Sequence, residues 1–281
     1  MSDHEDTIKS STGPNQGTPR FADYPRADDP RTDEQLFRAM LEGIYDDDAP
    51  WYAVRILRLR GTSEIFELAK KYSESENEIA CARALDVLAQ LGAGKPDSER
   101  PYVDESISIA LQHLEDRRAL VVHSAAFALA HLRGDTAISA LIDLKHHPDP
   151  DVRLAVATGM GGCEQPKAIE TIIHLMGDED DDVRDWATFG LGSLCTQDSQ
   201  EIRAALRKRL EDPFEDARNE ALWGLAQRKD PSSVRSLLER LQSEQWKSGD
   251  EVAAQETLGI FGNTSVEQLR EGLQELLTRI A

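Results

Sequence analysis

The stretch that decides the fold reads Asp181-Asp182-Val183-Arg184-Asp185-Trp186-Ala187-Thr188-Phe189-Gly190-Leu191. The repeated motif is an aspartate followed by Val-Arg or Ala-Arg, with a glycine seven residues after the valine or alanine. The other copies are Asp151-Val152-Arg153 with Gly159, Asp216-Ala217-Arg218 with Gly224, and a weaker Asp250-Glu251-Val252 with Gly259. Successive copies lie 31 to 35 residues apart. Such a period is typical of solenoids, in which each unit buries its apolar face against its neighbours.

Helical spacing of apolar residues continues from residue 33 to the end, with Ile79, Ala82 and Leu85 as one example. Aspartate-proline pairs such as Asp149-Pro150 predict helix starts. We therefore expect a polar, disordered tail over 1–32 and a solenoid over 33–281. The predicted helix pairs are 33–45 with 49–60, 62–73 with 76–91, 101–115 with 117–132, 135–147 with 149–160, 166–177 with 181–194, 199–211 with 214–227 and 231–243 with 250–261. A capping helix over 265–280 closes the array.

Composition narrows the class of protein. The net charge is −20, which disfavours nucleic acid as a partner and favours basic proteins; the alternative is that the acidic balance only maintains solubility. Three single cysteines argue against a disulfide framework and for a reducing cytoplasm. No stretch is apolar enough for a membrane helix. We expect a cytoplasmic protein that is monomeric before it binds its partner.

Motifs of catalysis are missing from the sequence. It contains no G-x-S-x-G, no phosphate-binding loop and no H-E-x-x-H. The seven histidines are scattered, and the one His-Glu pair, His4-Glu5, falls in the predicted tail. The sequence therefore predicts a protein that is not an enzyme, with no catalytic residues, no cofactor and no metal.

Residues 181–191 resemble the second helix of HEAT repeats, with the pattern D-x-V-R-x-x-A-x-x-G-L. The units are similar in length to the short bacterial type first named after phycobilin lyases. The resemblance implies an all-α, right-handed α-solenoid of about seven helix pairs, whose second helices line the concave face. It also implies a ladder of ion pairs between units, formed by Arg153, Arg184 and Arg218 with Asp151, Asp182 and Asp216.

A narrower resemblance covers roughly residues 33–265 and links the chain to the YibA-like family. It is carried by residues 183–189, 220–230, 33–38 and 54–61. That family consists of small cytoplasmic HEAT proteins, some encoded beside Rhs-type toxins, which implies an immunity protein that binds and neutralises a basic toxin domain. The alternatives are a general scaffold or adaptor, and a subunit similar to a phycobilin lyase.

Two sets of residues are singled out by their place in the repeat. The recurring glycines Gly159, Gly190, Gly224 and Gly259 predict close helix crossings, because glycine in a helix costs about 1 kcal/mol relative to alanine. The apolar residues Val152, Val183, Ala217 and Val252 are expected to begin each second helix on its buried side.

The solvent-facing positions of the second helices give the candidate binding residues. These lie two and six residues after the apolar residue, and Glu220 is added beside them as part of an acidic rim. The predicted concave site comprises His123, Phe127, Asp185, Phe189, Asn219, Glu220 and Trp223. The aromatic members are interface anchors in this hypothesis, and core wedges between units in the alternative. Trp186 is expected to be buried.

The acidic run Asp178, Glu179, Asp180, Asp181 and Asp182 is a second candidate surface. Carboxylates at a helix start interact favourably with the helix dipole. Five in a row exceed what capping needs, which favours an acidic surface that faces a basic partner. Helix capping alone remains the alternative.

Overall fold

A computed structural model describes residues 27–45, 48–96, 99–243, 246–260 and 262–280. Every regular element in that part of the chain is helical, so the predicted all-α solenoid is confirmed. The helices are α1 Asp33–Ala39, α2 Asp48–Arg60, α3 Ser63–Ser73, α4 Glu78–Ala89, α5 Val103–Gln112, α6 Ala119–Leu132, α7 Asp135–Asp143, α8 Pro150–Met160, α9 Pro166–Leu175, α10 Asp181–Phe189, α11 Gln200–Arg209, α12 Glu215–Gln227, α13 Pro231–Gln242, α14 Ser248–Leu258 and α15 Val266–Ile280. They form the seven predicted pairs and the closing helix.

The helices begin where the sequence places capping residues. Thr32 forms a capping box with Gln35 at the start of α1. Asp149 and Asp230 cap α8 and α13, each followed by proline at the first helical position. Most of the predicted tail, residues 1–26, lies outside the described residues. Its last part contacts α2, because Arg60 donates hydrogen bonds to the carbonyls of Ala27 and Arg31.

Two layers of helices make up the solenoid. Each second helix, from α2 to α14, packs against the second helix of the next unit, whereas successive first helices from α1 to α13 contact one another far less. The closer spacing of the second helices makes their layer the inner, concave side of the array. A continuous apolar core runs through it from Cys81 to Leu225, with smaller clusters at both ends.

Close helix crossings occur at three of the four predicted glycines. A Cβ added at Gly224 would lie 2.6 Å from the Cα of Gly192, and one added at Gly190 would lie 3.0 Å from the Cα of Gly161. At Gly159 the added atom would lie 3.0 Å from the Cα of Ala130. In each case backbone atoms at or just beyond the preceding second helix are an obstacle, and at Gly159 the side chain of Leu141 lies closer still, at 2.7 Å. The prediction is confirmed at these three positions.

The seventh unit departs from the predicted register. Val252 is 45% exposed, while Asp250, Ala254 and Thr257 are buried instead. Gly259 forms the C-cap of α14 with a φ of 68°, and no close crossing occurs there. The predictions for Val252 and Gly259 are therefore wrong. The apolar face of α14 is set by its packing on α12 and α15, which the weak sequence copy does not encode.

The ladder between units exists, but with different aspartates. Arg153 binds Asp178 of the next unit at 2.7 Å. Arg184 binds Asp212 of the next unit at 3.1 Å, and Arg218 donates to the carbonyls of Asp212 and Pro213.

The predicted aspartate partners, Asp151, Asp182 and Asp216, are exposed. Each precedes its arginine by two residues on the same helix, and side chains at that spacing point away from each other. Arg153 and Arg184 therefore reach forward to the loop of the following unit, whereas Arg218 binds the loop of its own unit. The ladder prediction is right about Arg153 and Arg184, and wrong about Arg218 and about these aspartates.

A π-helical turn, Gly190–Leu194, extends α10. The chain leaves the helical conformation after this turn, so its last carbonyl groups lack partners from a following helical turn. The guanidinium of Arg228 binds them instead. The acceptors are the carbonyl oxygens of Leu191, Gly192, Cys195, Gln197 and Gly224. One side chain thereby joins the end of α10 to α12, the two helices that carry the site described next.

Candidate partner-binding face

Five of the seven predicted site residues lie on two adjacent second helices. Asp185 and Phe189 are one turn apart on α10, and Asn219, Glu220 and Trp223 follow on α12. All five are half-buried, and α10 packs directly on α12. Their side chains therefore share one part of the concave layer, which we call the α10–α12 cleft.

Asp185 is the least satisfied group in this cleft. Its Oδ1 is buried and has no hydrogen-bond partner. Burial, with the nearby charges of Glu220, Asp216 and Asp182, raises the pKa of the carboxyl to about 6. A buried carboxylate oxygen without a partner is destabilising, so the free protein carries a cost at this position.

Glu220 faces the same cleft and is better satisfied. Its carboxylate accepts a hydrogen bond of 3.0 Å from the hydroxyl of Ser193, which the π-helical turn presents. Burial raises the pKa of Glu220, the Ser193 hydrogen bond opposes that rise, and the charge of Asp216 adds to it. Two carboxylates with raised pKa values thus lie on neighbouring helices.

Asp185→Asn is expected to stabilise the folded protein at neutral pH. Because the pKa of the folded-state carboxyl lies above its ordinary value of 3.8, stability is greatest below that value and falls as pH rises to about 6. The substitution should add about 1 kcal/mol to the free energy of unfolding, after allowance for solvent screening. Urea unfolding at neutral pH and near pH 3.8 measures the difference.

The gain should largely disappear at the lower pH, where Asp185 is protonated in the folded state and about half protonated in the unfolded state. Glu239→Gln is the control, since Glu239 is an exposed carboxylate on α13. A gain that is equal at both pH values, or shared by Glu239→Gln, would contradict the assignment of a strained charge to Asp185.

Aromatic side chains border the cleft. Phe189 meets the ring of Trp186 edge-on at 5.8 Å, and Trp186 is 44% exposed. The prediction that Trp186 is buried is wrong. Glu220 occupies the same place on α12 that Trp186 occupies on α10. A charged residue at this place in the repeat indicates that the position faces solvent.

A groove of ≈390 Å³ extends the cleft from α12 towards α14. Glu220, Trp223 and Asp250 are among its lining residues. Arg240 of α13 donates to the side-chain oxygen of Asn219 at 2.6 Å and to Asp250 at 3.2 Å. The amide oxygen of Asn219 is therefore already engaged within the chain.

His123 and Phe127 belong to a separate cluster on α6. Their rings stack at 4.7 Å, and Tyr45, from the loop before α2, meets His123 edge-on at 6.3 Å. The Tyr45 hydroxyl donates to Asp86 at 2.8 Å and lies 3.0 Å from the hydroxyl of Ser124. The side chain of Tyr45 thus packs on His123, a contact that the local sequence pattern did not indicate.

The acidic run 178–182 does not form one free surface. Asp178 is bound by Arg153, Asp180 caps α10 and Asp181 pairs with Arg184. Glu179 and Asp182 are exposed. The prediction of a docking surface is contradicted for Asp178 and Asp180, because ladder and cap use their carboxylates.

Within the described ranges, no group of three or more histidine, cysteine, aspartate or glutamate side chains is arranged to hold a metal ion. Over the same residues, none of the helices has both the length and the apolar character that a membrane crossing requires.

The family model for HEAT repeats matches residues 107–192 and 182–259. Protein YibA of Escherichia coli (strain K12) is 25% identical over 221 residues, which cover 75% of each chain. The X-ray structure of E. coli YibA superposes with a TM-score of 0.68 at 23% identity, over 89% of this chain and 93% of that one.

A more distant likeness links the chain to Kap95p, in a structure where Kap95p binding induces the switch loops of RanGDP to adopt the GTP-bound conformation. The TM-score is 0.59 at 14% identity, over 89% of this chain and 37% of that one. At such identities, structural likeness establishes the solenoid fold alone.

Proposed function

The chain belongs to the HEAT-repeat family, and we propose that it is a non-catalytic binding protein whose concave face holds a basic protein. More specifically, we propose an immunity protein that binds and neutralises a cognate toxin domain of the Rhs type. The observation that carries the binding proposal is Asp185, whose buried carboxylate oxygen has no partner in the free protein.

Charge supports a basic partner. The protein carries a net charge of −20, and Asp182, Asp185, Asp216 and Glu220 gather around one cleft. A surface of this sign attracts cationic proteins over distances comparable to the Debye length, about 8 Å at physiological salt, and repels nucleic acid phosphates. Binding should therefore be fast and sensitive to salt.

The aromatic side chains support a protein rather than a small ion. Half-buried Phe189 and Trp223 lie beside the carboxylates, and aromatic anchors surrounded by polar groups are typical of protein interfaces. The similarity to YibA, together with the family resemblance, motivates the narrower proposal of immunity.

The proposal predicts one tight, basic partner. Tagged protein incubated with lysate of the native source at low and high salt, followed by mass spectrometry, should capture a single cationic protein whose yield falls with salt. Phe189→Ala/Trp223→Ala should lower its affinity at least about 10-fold, since aromatic hot spots contribute about 2 kcal/mol or more each.

The control variant is Ile44→Ala, at an exposed residue outside the cleft. A buried aromatic residue such as Phe66 is not a suitable control. Co-expression with the captured protein then tests neutralisation through cell growth. Several weak partners that are indifferent to the cleft variant would instead favour a general scaffold. A captured partner whose toxicity is unchanged by co-expression would rule out immunity.

A further inference from the structure

We propose that the α10–α12 cleft receives a single arginine side chain of the bound protein, with its guanidinium on the carboxylates of Asp185 and Glu220 and its flat face against Trp223. This inference rests on the proposed function, since it names the group that a protein partner would insert. It makes Asp185 the specificity-determining residue of the face.

The arrangement of the two helices suits such a group. Phe189 lies four residues after Asp185 on α10, and Trp223 lies three residues after Glu220 on α12. Residues at these spacings share one face of a helix. Each carboxylate therefore has an aromatic ring one turn away, and the packing of α10 on α12 brings the two carboxylate–aromatic pairs side by side.

The chain's own arginines near the cleft are committed elsewhere. Arg184 binds Asp212, Arg218 binds backbone carbonyls, and Arg240 binds Asn219 and Asp250. None of these bonds involves the buried Oδ1 of Asp185, which has no hydrogen-bond partner. Rotation of the Asp185 side chain would turn that oxygen towards the cleft, where a donor from outside the chain would satisfy it.

Arginine fits this cleft better than lysine does. Its planar guanidinium binds carboxylates with several donors, stacks on aromatic rings and is more weakly hydrated than an ammonium group. A lysine ammonium would reach the carboxylates as a point charge, without stacking on Trp223. A metal ion would need further oxygen ligands, and no suitable metal-binding group occurs among the described residues.

Labelled octa-arginine and octa-lysine peptides, titrated by fluorescence anisotropy at physiological salt, test the chemistry directly. The arginine peptide should bind about 10-fold more tightly than the lysine peptide, because stacking and bidentate pairing act only with arginine. Asp185→Asn and Trp223→Leu should each remove most of that preference. Glu239→Gln, which makes the same change in charge as Asp185→Asn at an exposed site on α13, should keep it.

Equal binding of the two peptides, or equal losses in Asp185→Asn and Glu239→Gln, would overturn the proposal in favour of general attraction to an acidic surface. Weaker binding cannot be ascribed to unfolding, because Asp185→Asn is expected to stabilise the free protein. Circular dichroism and urea unfolding of Trp223→Leu check its fold in the same way.

A capture experiment separates this inference from the function on which it rests. If Asp185→Asn captures the natural partner as well as the wild type does, the arginine proposal fails and the binding function stands. If no natural partner is captured while the arginine preference and its dependence on Asp185 hold, the binding function fails and the chemistry of the cleft stands.

Discussion

Gly224→Ala should destabilise the protein by about 3 kcal/mol, the upper range for overpacking. The added Cβ would lie 2.6 Å from the Cα of Gly192 and 3.2 Å from its carbonyl carbon and oxygen. These are backbone atoms of a neighbouring helix, so no side-chain rotation relieves the contact, and α12 must move away from the end of α10. The loss exceeds the gain of about 1 kcal/mol that alanine brings to a helix.

Gly249→Ala is the matched control for this prediction. Like Gly224, Gly249 lies in a helix, but it is exposed. A Cβ added at Gly249 has nothing within 4 Å. This variant should be unchanged or up to about 1 kcal/mol more stable. Urea unfolding followed by circular dichroism measures both, and similar midpoints for the two variants would show that the crossing at Gly224 is less tight than the structure has it.

Arg228→Met should cost about 3 to 4 kcal/mol, for a different reason. The guanidinium binds five backbone carbonyls at the junction of α10 and α12, including those of Cys195 at 2.7 Å and Gly192 at 3.0 Å. Methionine keeps much of the apolar stem and removes every donor, which leaves several carbonyls without a partner. Because Arg228 then no longer holds the π-helical turn in place, the hydrogen bond from Ser193 to Glu220 should also be lost.

Arg235→Met tests whether loss of one positive charge alone explains the result. Arg235 is exposed on α13, and its replacement should change the free energy of unfolding by less than about 0.5 kcal/mol. Amide hydrogen exchange provides a second measurement. In Arg228→Met the amides of residues 190–197 should exchange faster than in the wild type, and unchanged protection there would contradict the anchoring role.

The candidate site was partly predictable from the repeat. Asp185, Phe189, Asn219 and Trp223 follow from counting along the second helices, Glu220 was added as part of an acidic rim, and the structure places all five together. Trp186 was wrongly predicted to be buried because it lies off the counted positions, although Glu220 at the equivalent place one unit later indicates a position that faces solvent. His123 and Phe127 satisfied the same count, yet Tyr45, distant in sequence, packs over His123.

Local signals in the sequence were enough to establish an all-α solenoid, its seven helix pairs and three of its glycine crossings. Apolar periodicity, capping residues and a repeated glycine each report on a helix and its immediate neighbour, so a single chain displays them directly. What the tertiary structure alone decided depends on contacts between units. These are the pairing of Arg153 with Asp178 and of Arg184 with Asp212, the register of α14, and the unpartnered oxygen of Asp185. Each depends on the position of a neighbouring helix or loop. The spacing of residues along one helix carries no information about that position.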